Sequence, residues 1–409
     1  MKHYSDTFFE FHKRNFASGF SLFIIRFAGK KFRLTYDLTE YLTPIQTAAI
    51  NGDTHYNEHQ LGNTIKIFEE EMPDISDVEI IIAGVNEFRG EGKSVTRNSA
   101  DAIRKKLYEL HYWHKEIAIA DIGNIQNGAT LNDSYAATTI VLKELLQLNK
   151  TVLLIGGSHD NTIAQYNAYK ELNRIIETTI IDAKIDLKSE SPLRSENFLM
   201  EMLTGEPNMI SHYNHIAFQS YFVHPGMLET MDKLRFDCFR VGKVKEELVE
   251  MEPVLRNSSL FSFDITAIKN SDAPASNCSP NGLSGEESCT LTRYAGMSPS
   301  ISSIGFYGFD ATTDREELTA LQIAQMIWYF IDGRHKRRHE SGLHERQNFN
   351  EYHTVFAEVD TVFLQSKKTG RWWMQMPDKK MIACSYKDYL VASNNQIPER
   401  WLRAQERDI

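Results

Sequence analysis

The sequence predicts an α/β fold in which a mainly parallel sheet is covered by helices on both faces. Two observations lead there. Eight short β-rich runs recur at 78–83, 116–120, 151–155, 178–181, 215–218, 236–241, 260–265 and 303–307, and they are near-continuously apolar. Strands buried on both faces read that way, whereas half-exposed strands alternate. Between most of them lie stretches of helical periodicity, at 98–110, 133–148, 161–173, 243–253 and 314–331. Strands that alternate with helices build parallel sheets.

Before this alternation, residues 1–75 are mixed and mostly polar, with short apolar groups at 20–27 and 36–42 but no clear period. They are expected as an N-terminal lead-in to a main domain over 76–333. Beyond it, 333–347 reads GRHKRRHESGLHERQ, expected as a linker or exposed helix end. Its His335, His339 and His344 have no carboxylate or cysteine frame, which favours a solvated surface over a metal site. A hairpin is predicted at 361–365 and 371–376, turning at 367–370. On it, Trp372 and Trp373 are expected to anchor the 334–409 appendage to the main body or to a neighbouring subunit.

With 409 residues, 42% of them hydrophobic, the chain can bury a large core. A formal charge of -10 argues against a nucleic-acid or anionic-membrane surface, which needs a positive field, and points to a small-molecule partner. Cys238, Cys278, Cys289 and Cys384 lack metal-type or disulfide-type spacing, as free thiols in a reducing compartment would. No apolar run of signal-peptide length opens the sequence, and none approaches the roughly 20 residues of a membrane span. A soluble, cytoplasmic protein is expected.

Chemistry concentrates in three stretches at the ends of predicted strands. IDAKIDL at 181–187 supplies Asp182 and Asp186, LIGGSHD at 154–160 supplies His159, and FSFDIT at 261–266 supplies Asp264. Ligands in open parallel sheets bind at the carboxyl ends of the strands. One imidazole and three carboxylates suit a hard divalent cation such as Mn2+. Lys184 argues the other way, because paired with Asp182 and Asp264 it would make a buried salt-bridge cluster with no metal.

GGSHD, DAKID, SFDIT and NGLSGEE (281–287) occur in the order and approximate spacing of motifs in the ureohydrolases, the family of arginase, agmatinase and formimidoylglutamase. Those enzymes read GGDHS, DAHxD, SFDxDxxDP and GGLxxRE. The chain resembles this family over roughly 78–331. The resemblance implies a three-layer α/β/α arginase-like fold with an eight-stranded sheet, a dinuclear manganese site, and hydrolysis of a linear amidine or guanidine. It also implies a homo-oligomer, trimeric or hexameric.

By the same resemblance, the first metal falls to His159, Asp182, Asp186 and Asp264. The second metal's remaining ligands, a histidine and an aspartate, are replaced by Lys184 and Thr266, so one ion per chain is expected at most, or none. Ser195 and Asn197 match substrate contacts, and Glu287 matches the glutamate that receives a guanidinium. Leu199 stands where arginases carry a proton-transferring histidine; Ser158, Lys269 and Asn270 also depart from the family pattern. Two readings follow. One is a metal-dependent hydrolase of an arginine- or formimidoylglutamate-like substrate, with Asp160 or Asp186 relaying a proton. The other is an inactive homologue in which Lys184 replaces the second metal and the chain binds a ligand or assembles with partners.

Overall fold

The computed structural model describes residues 24–27, 30–33, 36–52, 55–276 and 279–407. Cys278 and the first 23 residues, on which the expectation of no signal peptide rests, lie outside the described residues. Eight parallel strands form the centre: β1 (Ile80–Gly84), β2 (Ile119–Ile125), β3 (Thr151–Ile155), β4 (Ile176–Ile181), β5 (Ile210–Phe218), β6 (Asp237–Arg240), β7 (Leu260–Asp264) and β8 (Ser303–Tyr307). Their spatial order is β6-β5-β4-β7-β8-β3-β1-β2. The last two strands therefore insert between β3 and β4. That insertion brings the carboxyl ends of β3, β4, β7 and β8 together in the middle of the sheet.

Alternate side chains of each strand feed two separate cores. Ile80, Ile82, Leu153, Ile155, Phe261 and Phe263 pack with helices Ser99–Glu109, Gly285–Met297 and Leu318–Arg337. Ile81, Ala83, Val152 and Leu154 pack with helices Leu131–Gln147 and Thr162–Glu171 on the other face. Each such side chain contributes about 1.5–3 kcal/mol by burial, so both faces need apolar residues. This is why the strands read as unbroken apolar runs.

The expected lead-in is partly sheet. Leu42–Thr43 pairs antiparallel and Lys66–Ile67 parallel with β2, and two-residue pairings are too short to leave a period. The helix expected at 243–253 is instead two, Val241–Glu246 and Met251–Leu255. In one continuous helix the Pro253 ring would clash with the carbonyl four residues earlier, and the break puts it in a first turn. The helix expected to end at 331 runs on to Arg337, so the start of the expected linker is structured. Gly333 permits this, since a Cβ there would collide with the Arg293 carbonyl of the neighbouring helix. The next residue, Arg334, is buried against Glu79 at 2.7 Å.

The tail forms a four-stranded antiparallel sheet of Phe349–Phe356, Val359–Ser366, Trp372–Gln375 and Met381–Cys384, followed by helices Tyr386–Ser393 and Glu399–Arg407. Its middle two strands are the expected hairpin. Arg256 of the main body places its guanidinium 4.6 Å from the Trp373 ring centroid and donates to the Trp372 carbonyl at 2.6 Å. The two tryptophans thus hold the appendage to the main body through one arginine. Among the described residues no helix is long and apolar enough to cross a membrane, and Cys238, Cys289 and Cys384 are free thiols.

Candidate metal centre

β3 runs into Gly156 and Gly157, whose φ values of +88° and +78° are left-handed and costly for residues with a Cβ. A Cβ on Gly156 would also lie 2.6 Å from the Val85 carbonyl oxygen. The tight turn delivers His159 to the carboxyl end of the sheet. There His159 Nδ1 lies 3.0 Å from Asp186 Oδ2, 3.3 Å from Asp182 Oδ2 and 3.4 Å from Asp264 Oδ2. On the other side of the ring, Nε2 lies 3.2 Å from the Ser262 hydroxyl. Without a metal the ring is charged and its Nδ1–H faces the carboxylates; a partner at Nε2 keeps the other proton there, so that an ion displacing the Nδ1 proton would meet that lone pair.

Metal–ligand bonds of about 2.1 Å set neighbouring donors about 3.0–3.4 Å apart, so the three measured separations fit a shared cation. His159, Asp182 and Asp264 offer atoms that all lie within 4.8 Å of one another. Asp186 meets the imidazole from one side of that group. All four residues are buried.

Four ionisable groups at this spacing share protons. Burial first, and then the charge of Asp182, push Asp186 up to about 8 and Asp264 up to about 6. Burial opposes ionisation of Asp182 as well, but the hydrogen bond and charge of His159 outweigh it and hold that carboxyl below its ordinary value. Burial likewise opposes charge on His159, and the surrounding carboxylates overcome it, raising the imidazole well above its usual value.

With divalent ions chelated, the folded chain then binds more protons than the unfolded chain from roughly pH 4 to pH 8. Groups whose folded pKa is raised lose their stabilising contribution as pH rises, so stability is expected to fall across that window. Mn2+ should flatten the profile by displacing those protons. Urea titrations at pH 5 and pH 8, with chelator and with Mn2+, measure this; equal stability of the chelated protein at both would rule out the shared protons.

Beside the cluster is a cavity of about 160 Å³ lined by Lys93, Ala275, Ser276, Gly308, Asp310 and Thr313. Gly308 is the link, because a Cβ there would sit 2.7 Å from Asp264 Oδ1. Sequence reasoning missed Lys93 and Asp310. The available signal was position alone, since they follow β1 and β8 on loops at the carboxyl ends of strands.

The sequence model of the Arginase family matches residues 77–332. This chain belongs to the arginase family. The formimidoylglutamase of Staphylococcus haemolyticus is 24% identical over 172 residues, covering 40% of this chain and 55% of that protein. The formimidoylglutamase of Macrococcus caseolyticus is 29% identical over 143 residues, covering 34% and 45%. The chain therefore spans about half the length of the curated relatives it matches. Among solved structures, Trypanosoma cruzi formiminoglutamase with Mn2+ superposes with a TM-score of 0.61 at 17% identity, covering 68% of this chain and 98% of that one. Bacillus subtilis formimidoylglutamase gives 0.61 at 15% identity, covering 69% and 95%. The three-layer fold expected from the motifs is thus the observed one.

Against the family pattern, Lys184 requires a correction. Its backbone N–H donates to Asp182 Oδ1 at 3.1 Å, but its side chain is exposed and makes no ion pair with Asp182 or Asp264 among the described residues. Those carboxylates have other partners. Thr266 gives its hydroxyl to Asp182 at 3.2 Å and its backbone N–H to Asp264 at 2.7 Å, and His159 supplies the positive charge. With no partner left to gain, the ammonium keeps its hydration. The salt-bridge cluster exists, with His159 and not Lys184 as its cation.

The remaining expected residues divide. Ser195 lies in the 3-10 turn Arg194–Glu196, and Asn197 leads into helix Phe198–Thr204. Phe198 packs edge-on to His159, with ring centroids 4.9 Å apart, which brings this loop to the cluster. Asn197 Nδ2 donates to the Ser191 carbonyl at 2.7 Å, and its buried Oδ1 has no partner among the described residues. Leu199 points into the core. Glu287 instead takes part in a helix-capping box, accepting the Ser284 N–H at 2.7 Å and the Lys245 ammonium at 3.0 Å, and none of these partners belongs to the cluster. Asp160 is buried beside His159, and burial raises its pKa. Its Oδ2 accepts from the Tyr135 hydroxyl, while Oδ1 has no partner among the described residues.

Proposed function

We propose that this chain is a hydrolase of the formimidoylglutamase type, cleaving a non-peptide C–N bond in a linear amidine, with one manganese ion held by His159, Asp182, Asp186 and Asp264. The observation that carries the reading is the convergence of three carboxylate oxygens within 3.4 Å of one imidazole nitrogen at the strand ends. The Trypanosoma cruzi neighbour solved with Mn2+ supports the choice of ion. When bound, the ion supplies the means to lower a water's pKa toward neutrality. The chain's own groups do the rest. Asp160, buried beside His159 with its carboxyl pKa raised by burial, would accept and return a proton, with Asp186 as the alternative relay.

Substrate choice follows from charge. Lys93 and Asp310 in the cavity present opposite charges, a complement to the carboxylate and ammonium of an amino acid, with the substrate carboxylate competing with Glu91, which pairs with Lys93 at 3.1 Å. These charges favour an arginine- or formimidoylglutamate-like substrate over a simple diamine derivative. A substrate cation reaching Glu287 must displace Lys245.

A second reading, the inactive homologue, is favoured by Thr266, whose hydroxyl occupies Asp182 where the family carries a further carboxylate. Protein equilibrated with Mn2+ and assayed for formamide, urea or ammonia from formimidoylglutamate, arginine and agmatine separates the two. Product at one ion per chain supports the hydrolase, and a bound ion without product from any substrate leaves the inactive homologue. The double variant Lys184→His with Thr266→Asp is expected to raise bound manganese from one to two equivalents.

A further inference from the structure

We propose a second metal site, at the opposite end of the sheet from His159, in which His114, Glu116 and His335 bind Zn2+ or a similar borderline transition ion. His114 and Glu116 immediately precede β2, and His335 lies in the last turn of helix Leu318–Arg337. Glu116 Oε1 contacts His335 Nδ1 and lies 4.0 Å from His114 Nδ1. The potential ligand atoms of all three residues lie within 4.8 Å of one another. The two imidazoles stack at 4.2 Å between centroids and 15° between planes.

The far side of each ring is already engaged. His114 Nε2 lies 3.2 Å from Asp332 Oδ1, and Arg293 holds Asp332 at 2.8 Å. His335 Nε2 lies 3.4 Å from His339 Nε2. Metal-binding histidines are oriented in this way: the outer nitrogen gives its N–H to a fixed acceptor and the inner nitrogen keeps its lone pair for the ion. Two imidazoles and one carboxylate make a three-ligand set with an open fourth position, a pattern that suits Zn2+. Bonds of about 2.1 Å require donors about 3.4 Å apart in a tetrahedron, so binding an ion requires the 4.0 Å separation to close and the two stacked rings to rotate apart until both Nδ1 lone pairs meet it. All three side chains retain solvent access. A bound ion would tie the start of β2 to a helix end 219 residues later.

The test uses the full chain and Zn2+ alone, with stoichiometry from equilibrium dialysis and elemental analysis. The His159→Ala variant is expected to keep one tight equivalent, and His335→Ala is expected to lose that equivalent with at least a 100-fold drop in affinity. Glu116→Gln keeps the shape and removes the anionic ligand, so it should lose the equivalent as well, while far-ultraviolet circular dichroism shows the fold intact. Co2+ bound to His159→Ala should give visible absorption bands that the double variant His159→Ala with His335→Ala lacks. Unchanged Zn2+ uptake by both His335→Ala and Glu116→Gln would overturn the proposal, as would a folded His159→Ala protein that binds none.

Discussion

If the chain has the proposed activity, replacing His159 with alanine is expected to abolish manganese binding at the strand ends and to lower amidine hydrolysis by more than about 100-fold. Loss of a partner one shell removed from a metal typically costs 10–100-fold, and His159 would be a ligand itself. It is the nitrogen donor on which Asp182, Asp186 and Asp264 all converge. Without the imidazole, three buried carboxylates face one another with no fixed counter-charge. Ser262→Ala should be milder, about 10–100-fold in affinity, because it frees the ring's tautomer and leaves the donor in place. Elemental analysis after dialysis against Mn2+, beside near-ultraviolet circular dichroism, checks both variants. A folded His159→Ala protein that retains its ion at the original affinity would sink the assignment.

The largest expected stability loss lies elsewhere, in the buried pair of Arg104 and Asp121. Neither side chain is exposed at all. Arg104 Nε and Nη2 reach the two Asp121 oxygens at 2.9 and 2.8 Å. Its remaining donors go to Asn124 Oδ1, Asp101 Oδ1 and the Gly123 carbonyl, and the Tyr108 hydroxyl donates to Asp121 at 2.9 Å. The network fixes helix Ser99–Glu109 against β2. Asp121→Ala leaves the buried guanidinium with only the part-exposed Asp101 as a counter-ion, and breaking a buried pair in this way costs about 3–5 kcal/mol. Arg104→Ala strands the carboxylate and should cost a similar amount. Urea unfolding measures both, and a loss below about 1 kcal/mol would mean that water reaches the pair.

Legibility in the sequence tracked distance along the chain. The strands could be read because burial on both faces makes each one apolar over consecutive residues. His159, Asp182 and Asp264 could be read because each lies at or just beyond the end of such a run. The 333–347 stretch could not, because its polarity is local while its structure is not: Arg334 is buried only because Glu79, 255 residues earlier, neutralises it. Histidine-rich sequence likewise gave no hint that Glu116 stands beside His335.

The sequence by itself determined the three-layer family fold and pointed to a strand-end address for the candidate site and to the residue types gathered there. Only the tertiary structure decided that Thr266 and His159, rather than Lys184, serve the aspartates, that Lys245 occupies Glu287, and that a charged cavity adjoins Asp264. The reason is physical. Periodicity records burial, which neighbours along the chain share, whereas a charged side chain settles where its net solvation and partner energies are best. Those partners come from strands that become neighbours only when β7 and β8 insert between β3 and β4.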